Sequence, residues 1–135
     1  MRSESPYVSM SGVHIGFFRD FKSSNTVLIE GDSNGLRLLA DTFRHLAKTV
    51  GPVAIHELPF VEVHHGIRIA ATVSKRDNGA SINGLDVSWE RSADGWQDAA
   101  DKLDALESAT AGHQYLDTGS DQVTVMASIG EYGDS

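Results

Sequence analysis

Two amphipathic helix patterns, 60 residues apart and each set between segments that alternate apolar and polar residues, restrict this chain to a mixed α and β fold. The first runs from about Asn34 to Val50. At 100° per residue, Leu36, Leu39, Ala40, Phe43, Leu46, Ala47 and Val50 fall on one side and Arg37, Arg44, His45 and Lys48 on the other. Asp32 or Ser33 is the expected N-cap, and Gly51-Pro52 the expected stop. The second runs from about Ala93 to Ser108 with Ser92 as N-cap. Trp96, Ala99, Ala100, Leu103 and Leu106 form its apolar face; Asp94, Asp98, Asp101 and Asp104 line much of the other side. One helix is thus expected to show water a basic face and the other an acidic face.

The remaining segments have the period of half-buried strands. Val13, Ile15 and Phe17 share a phase, as do Val27 and Ile29. Val61, Val63, Ile67, Ile69, Ala71 and Val73 continue one phase across Gly66, where a bend or bulge is expected. Leu85, Val87 and Trp89 form another set, and Val123, Val125, Ala127 and Ile129 the last. Such alternation favours an antiparallel sheet with one face on the core. The two helix regions also superimpose as a weak internal repeat. Gly35 falls on Gly95, Ala40-Asp41 on Ala100-Asp101, and Phe43 and Leu46 on Leu103 and Leu106. Each helix follows a short strand and precedes a His-containing segment (His56, His113) and a further strand. The expectation is an α+β two-layer sandwich: two β-α-β-β units, one mostly antiparallel sheet, and two helices on one face. It forms a single domain over residues 1–135, with 1–10 and 130–135 flexible.

Composition narrows the function classes. A chain of 135 residues, 40% of them apolar, supplies one ordinary core and is too short for an α/β barrel or a two-domain dehydrogenase. It has no Cys, which removes disulfides, thiolate chemistry and Cys-ligated zinc. No run of about 18 apolar residues occurs, and Met1 to Pro6 leads into no secretory segment, so a cytoplasmic protein is expected. Net charge is −8, and it is unevenly spread. Residues 1–85 carry eight acids and nine bases; residues 86–135 carry eleven acids and two bases, Arg91 and Lys102. That acidity argues against nucleic acid and suits a cationic partner.

The sharpest catalytic candidate is Gly31-Asp32-Ser33-Asn34-Gly35, a G-x-S-x-G string placed between a strand and a helix, where a nucleophile elbow would expose Ser33. It resembles the first block of the GDS-type serine hydrolases. That family places an Asp three residues before its late catalytic His, whereas Thr110 holds that place before His113; the family's late Gly-x-Asn-Asp block is also missing. A helix cap explains every residue of the string without further partners and is favoured over a serine hydrolase. As a phosphate cradle the loop lacks the Lys and Ser/Thr of a Walker loop, and Asp32 would repel an anion. Of the six His (14, 45, 56, 64, 65 and 113), none has zinc-site spacing, so no metal or other cofactor is expected. A polar sheet face bearing His14, Thr72, Thr124, Met126 and Ser128 offers an alternative as a small-ligand or self-association surface, with a homodimer as its outcome.

The preferred site is a surface. Asp86 and Glu90, with Ser88 between them, lie on the polar side of one strand, and Asp94, Asp98, Asp101 and Asp104 lie on the helix that follows. Contiguous elements of that kind are expected to form one negative field, which speeds encounter with a basic protein. A resemblance points the same way. Residues 27–47, VLIEGDSNGLRLLADTFRHLA, and the segment Gly112-His113-Gln114-Tyr115-Leu116-Asp117 with Asp121 to Val125 are similar to the opening and closing blocks of small bacterial immunity proteins of polymorphic toxin systems. That resemblance implies a non-enzymatic protein that binds a cognate toxin and protects the producing cell.

Overall fold

The computed structural model describes residues 12–21, 24–109, 112–116 and 123–129. Strand β1 (Val13–Phe21) and β2 (Ser24–Gly31) lead to helix α1 (Ser33–Leu46). Then come β3 (Val53–Ala54), a 3-10 turn at Ile55–Glu57, β4 (Val61–Val63), β5 (Arg68–Val73), β6 (Gly79–Asn83) and β7 (Asp86–Arg91). Helix α2 (Ala93–Glu107), β8 (Gly112–Tyr115) and β9 (Thr124–Ile129) complete the order. The class is α+β, as the patterning indicates. The flexibility expected of residues 1–10 and 130–135 lies outside the described residues.

The strands form two mixed sheets where one was expected. Sheet A has the order β4-β1-β2-β9-β8 and sheet B the order β3-β5-β7-β6. Both arise from one rule applied twice. Hairpin β1–β2 is antiparallel, and so is hairpin β6–β7. Each half then sends its last strand to the other half's hairpin: β9 lies parallel to β2, with Val27 opposite Val125, and β5 lies parallel to β7, with Val87 opposite Ile69. Short β8 and β3 flank those last strands in antiparallel fashion. The 60-residue repeat therefore corresponds to two units of hairpin, helix and strand pair that exchange their final strands, with β4 as an addition at the edge of sheet A. Alternation misreads direction because it records burial on one face and not strand polarity; Ile69 and Ala71 are buried while Arg68 and Ala70 are exposed, although β5 is parallel to β7.

The shared phase from Val61 to Val73 breaks at the expected place, but more deeply than a bulge. His65 (φ 64°) and Gly66 (φ 75°) turn the chain out of sheet A and into sheet B. Leu85, expected to point inward, sits instead in the turn after Gly84 (φ 66°) and is exposed. Helix α1 stops at Leu46, four residues before the expected end. The chain tightens there into Lys48 N–H→His45 O and Thr49 N–H→Leu46 O turns, and Val50 is 94% exposed, off the apolar face.

Both helices start by the same device. Asp32 caps α1, its Oδ1 accepting from Gly35 N–H at 2.7 Å and its Oδ2 from Gly12 N–H at 3.2 Å. Ser92 caps α2, its Oγ accepting from Gly95 N–H at 3.0 Å. The helices run antiparallel, since Ser33 at the start of α1 reaches Glu107 at the end of α2 while Phe43 meets Trp96. Phe43, Trp89 and Trp96 pack edge to face or tilted with centroids 4.8–5.4 Å apart. Around this trio one core cluster joins the inner residues of both sheets to both helices.

Gly35 and Gly95 are needed for close approach. A Cβ on Gly35 would overlap the Gly12 carbonyl, and one on Gly95 would overlap the Asp77 carboxylate and the Arg91 side chain. Alanine elsewhere in a helix gains about 1 kcal/mol over glycine. Here Gly35→Ala is expected to lower the unfolding free energy by about 1–3 kcal/mol in urea titrations, with Gly95→Ala following in the same direction. Stabilisation by either alanine would contradict the packing described.

Candidate functional site

Ser33 is the first residue of α1 and is exposed. Its Oγ donates to the Glu107 carbonyl, 3.1 Å away on α2. The hydroxyl is thus held by a main-chain oxygen and not by an imidazole. The neighbouring carboxylate, Asp32, is engaged with the backbone of Gly12 and Gly35. The glycines of the G-x-S-x-G string serve packing: Gly31 lies against Leu36 and Gly35 against Gly12.

The six expected contact acids divide into two groups. Val87 and Trp89 point into the core, and Trp89 meets Trp96 of α2; the alternate residues Asp86, Ser88 and Glu90 therefore project from the far side of sheet B, away from α2. Asp94, Asp98, Asp101 and Asp104 lie on the side of α2 opposite its buried Trp96, Ala99, Ala100 and Leu103. Being contiguous in sequence does not put these acids on one surface, and the single field expected over residues 86–104 resolves into an α2 face and a sheet B face.

Neighbouring groups compensate most of these charges. Asp86 faces its register partner Arg68 at 2.6 Å, a contact that holds the carboxyl below its ordinary range and the guanidinium above its own. Glu90 accepts from Asn78 Nδ2 at 2.7 Å. On α2, Lys102 lies 3.3 Å from Asp98, one turn away. Arg44, expected on a water-facing basic side of α1, instead reaches across to α2, where one guanidinium nitrogen binds Asp101 at 3.0 Å and also Asp104. The Asp104 hydrogen bond is the first cause, and the Asp101 bond a smaller one, of a raised Arg44 pKa. The basic and acidic helix faces therefore meet at Arg44. Asp94 is exposed in the first turn of α2, where the helix dipole favours a negative charge.

A buried cation sits under the same helix start. Arg91 is 6% exposed; its Nη1 donates to the Leu116 carbonyl at 2.8 Å and its Nε to Asp77 Oδ1 at 3.3 Å. Asp77 Oδ1 also accepts from Ser92 N–H at 2.9 Å and Ser92 Oγ at 3.1 Å. The sequence carries a signal for this, because Arg91 continues the inward phase of Val87 and Trp89.

The other candidates disperse. Thr72 belongs to sheet B, whereas His14, Thr124, Met126 and Ser128 belong to sheet A, so the five form no common face. Met126 and Ser128 are also buried. His14 stacks on His64 at 5.7 Å between centroids, and His64 and His65 lie in the bend after β4 rather than in a strand. Among the described residues no group of three or more His, Asp or Glu could hold a metal ion, and no helix is long and apolar enough to cross a membrane. No known protein family matches this chain, and neither a curated protein nor a solved structure matches it significantly.

Asp77 supplies a pH test. The backbone N–H of Ser92, then the charge of Arg91, hold its carboxyl below the ordinary range. A carboxyl lowered in the folded state contributes stability above its unfolded pKa of about 4 and loses it as pH falls through the folded value. Asp77→Asn is expected to cost about 1–2 kcal/mol at neutral pH, at the low end for a buried network because Asp77 is 40% exposed. It should also reduce the drop in urea midpoint on acidification below about pH 4. An unchanged acid limb would remove Asp77 from this account.

Proposed function

We propose that this protein is a non-enzymatic binding module of the bacterial cytoplasm, acting as an immunity protein that neutralises a cognate toxin by occluding a basic surface on it. The observation that carries the reading is the acidic row on α2, with Asp94, Asp98 and Asp101 exposed and Asp104 half-exposed beside it. Its four carboxylates outnumber the two cations that answer them, Arg44 and Lys102. The similarity of residues 27–47 and of the closing segment to immunity proteins supports the same role. Asp86 and Glu90 lie on the other side of sheet B and belong to a separate surface in this proposal. Neither cofactor nor nucleic acid takes part.

The field of an exposed row acts over a distance that shrinks with salt. Association with the toxin encoded beside this protein is expected to slow by about tenfold or more between roughly 50 and 500 mM salt. Asp94→Asn and Asp98→Asn should slow it at low salt, and Arg44→Gln, which releases two carboxylates, should speed it. Asp86→Asn should leave the rate unchanged. A rate indifferent to salt, or an absence of binding, would remove the proposal.

The non-enzymatic part has its own test. Treatment with a fluorophosphonate followed by intact-mass measurement is expected to leave the native protein unmodified. An adduct on the folded protein that disappears in Ser33→Ala would assign Ser33 as a nucleophile and overturn this part of the reading.

A further inference from the structure

Strand β3 covers β5 at two positions only, Val53 opposite Ala71 and Ala54 opposite Ala70. At Ile69, the next residue of β5 toward its start, a side chain takes over the role of the missing strand. His56, from the 3-10 turn that follows β3, accepts the Ile69 N–H on Nδ1 at 2.9 Å, and the same nitrogen lies 3.3 Å from the Ile69 carbonyl oxygen. Ile69 is 2% exposed, so water is a poor substitute partner for its amide. To accept, Nδ1 must carry a lone pair, which places the proton of the neutral ring on Nε2. The His56 side chain is 19% exposed and borders an open groove of about 560 Å³ on the outer face of sheet B, so protons can reach it.

We propose that His56 is a proton-operated latch on the edge of β5. Once Nδ1 is protonated it becomes a donor, and the Ile69 N–H loses its acceptor. The new N–H finds the Ile69 carbonyl beside it, so the ring exchanges one main-chain partner for the other and leaves the buried amide unpaired.

The charged groups nearest the ring are Glu57, Asp86 and Arg68. Glu57, on the same turn, has Oε2 3.8 Å from Nε2. Asp86 of β7 and Arg68 of β5 line the same groove and are paired with each other. Strand β3 contributes only Val53 and Ala54, and β6 adds the uncharged Ser81 and Asn83 at the groove. The exchange requires only that a proton reach Nδ1. Its effect is local: the join between the 53–58 segment and β5 loosens, and the rim of the sheet B groove moves with it. This device stands whatever partner α2 takes.

Amide exchange followed by NMR tests it on the intact protein, alongside the His56 ring signals to record protonation. After correction for the intrinsic rate, protection of the Ile69 amide should fall on the order of tenfold between about pH 7.5 and 5.5, while Ala71 holds. His56→Asn places an amide oxygen where Nδ1 stood, and an amide accepts at either pH. Its Ile69 protection should be high and flat. His56→Ala should be unprotected at both pH values. Equal protection of wild-type Ile69 at the two pH values would overturn the latch, and so would a fall of the same size in His56→Asn. Should His56→Ala not fold, the comparison of wild type with His56→Asn decides alone.

Discussion

The parallel pairings of β9 with β2 and of β5 with β7 carry this architecture, because each joins the last strand of one half to a hairpin formed by the other. Parallel neighbours cannot be joined by a hairpin turn: β5 reaches β7 by way of β6, and β2 is joined to β9 by most of the chain, both helices included. Helix α1 lies in the connection from β2 to β5 and α2 in the connection from β7 to β9. Each helix must therefore serve a core that draws on both halves. The trio of Phe43, Trp89 and Trp96 marks the place, with one ring from the first half against two from the second. A half-chain would leave one hairpin edge, one edge of its last strand and one helix face uncovered, so the two halves are expected to fold as a single unit.

The starts of the two helices show how one geometric demand is met by different chemistry. In the first half, the backbone of Gly12 approaches Gly35 and bonds to the Asp32 cap. In the second, the carboxylate of Asp77 occupies the corresponding space against Gly95 and bonds to the Ser92 cap. The pair Gly35 and Gly95 persists in the repeat because a side chain fits at neither place. That also accounts for the G-x-S-x-G string. Its glycines and its cap are consequences of packing a strand, a turn and a helix closely, which is also what a nucleophile elbow requires, and so the string alone does not separate the two.

Charge behaves differently from the core. A carboxylate's place in the sequence tells little about its electrostatic role, because the strand pleat and the helix turn send neighbours to opposite exteriors. Asp86 and Asp94 are eight positions apart, yet sheet B lies between the surfaces they occupy. Conversely, Arg44 lies far from Asp101 and Asp104 in sequence and ends between them. The acidic half of the chain therefore presents a partly neutralised α2 face on one side and the Arg68–Asp86 pair on the other.

By itself the sequence determined the elements that depend on local rules. Period and capping placed α2 over its observed residues, narrowed the α1 cap to Asp32 or Ser33, identified Ser92 at the start of α2 and located nearly all the inward strand residues, since these follow from side-chain geometry within a few residues. The 60-residue repeat was legible for the same reason. Tertiary structure alone decided that there are two sheets, that final strands are exchanged, that α1 ends at Leu46 and that the acids divide. Each of these turns on which distant segment supplies a hydrogen-bond partner or an opposite charge, and alternation along one strand has the same form whichever neighbour lies beside it.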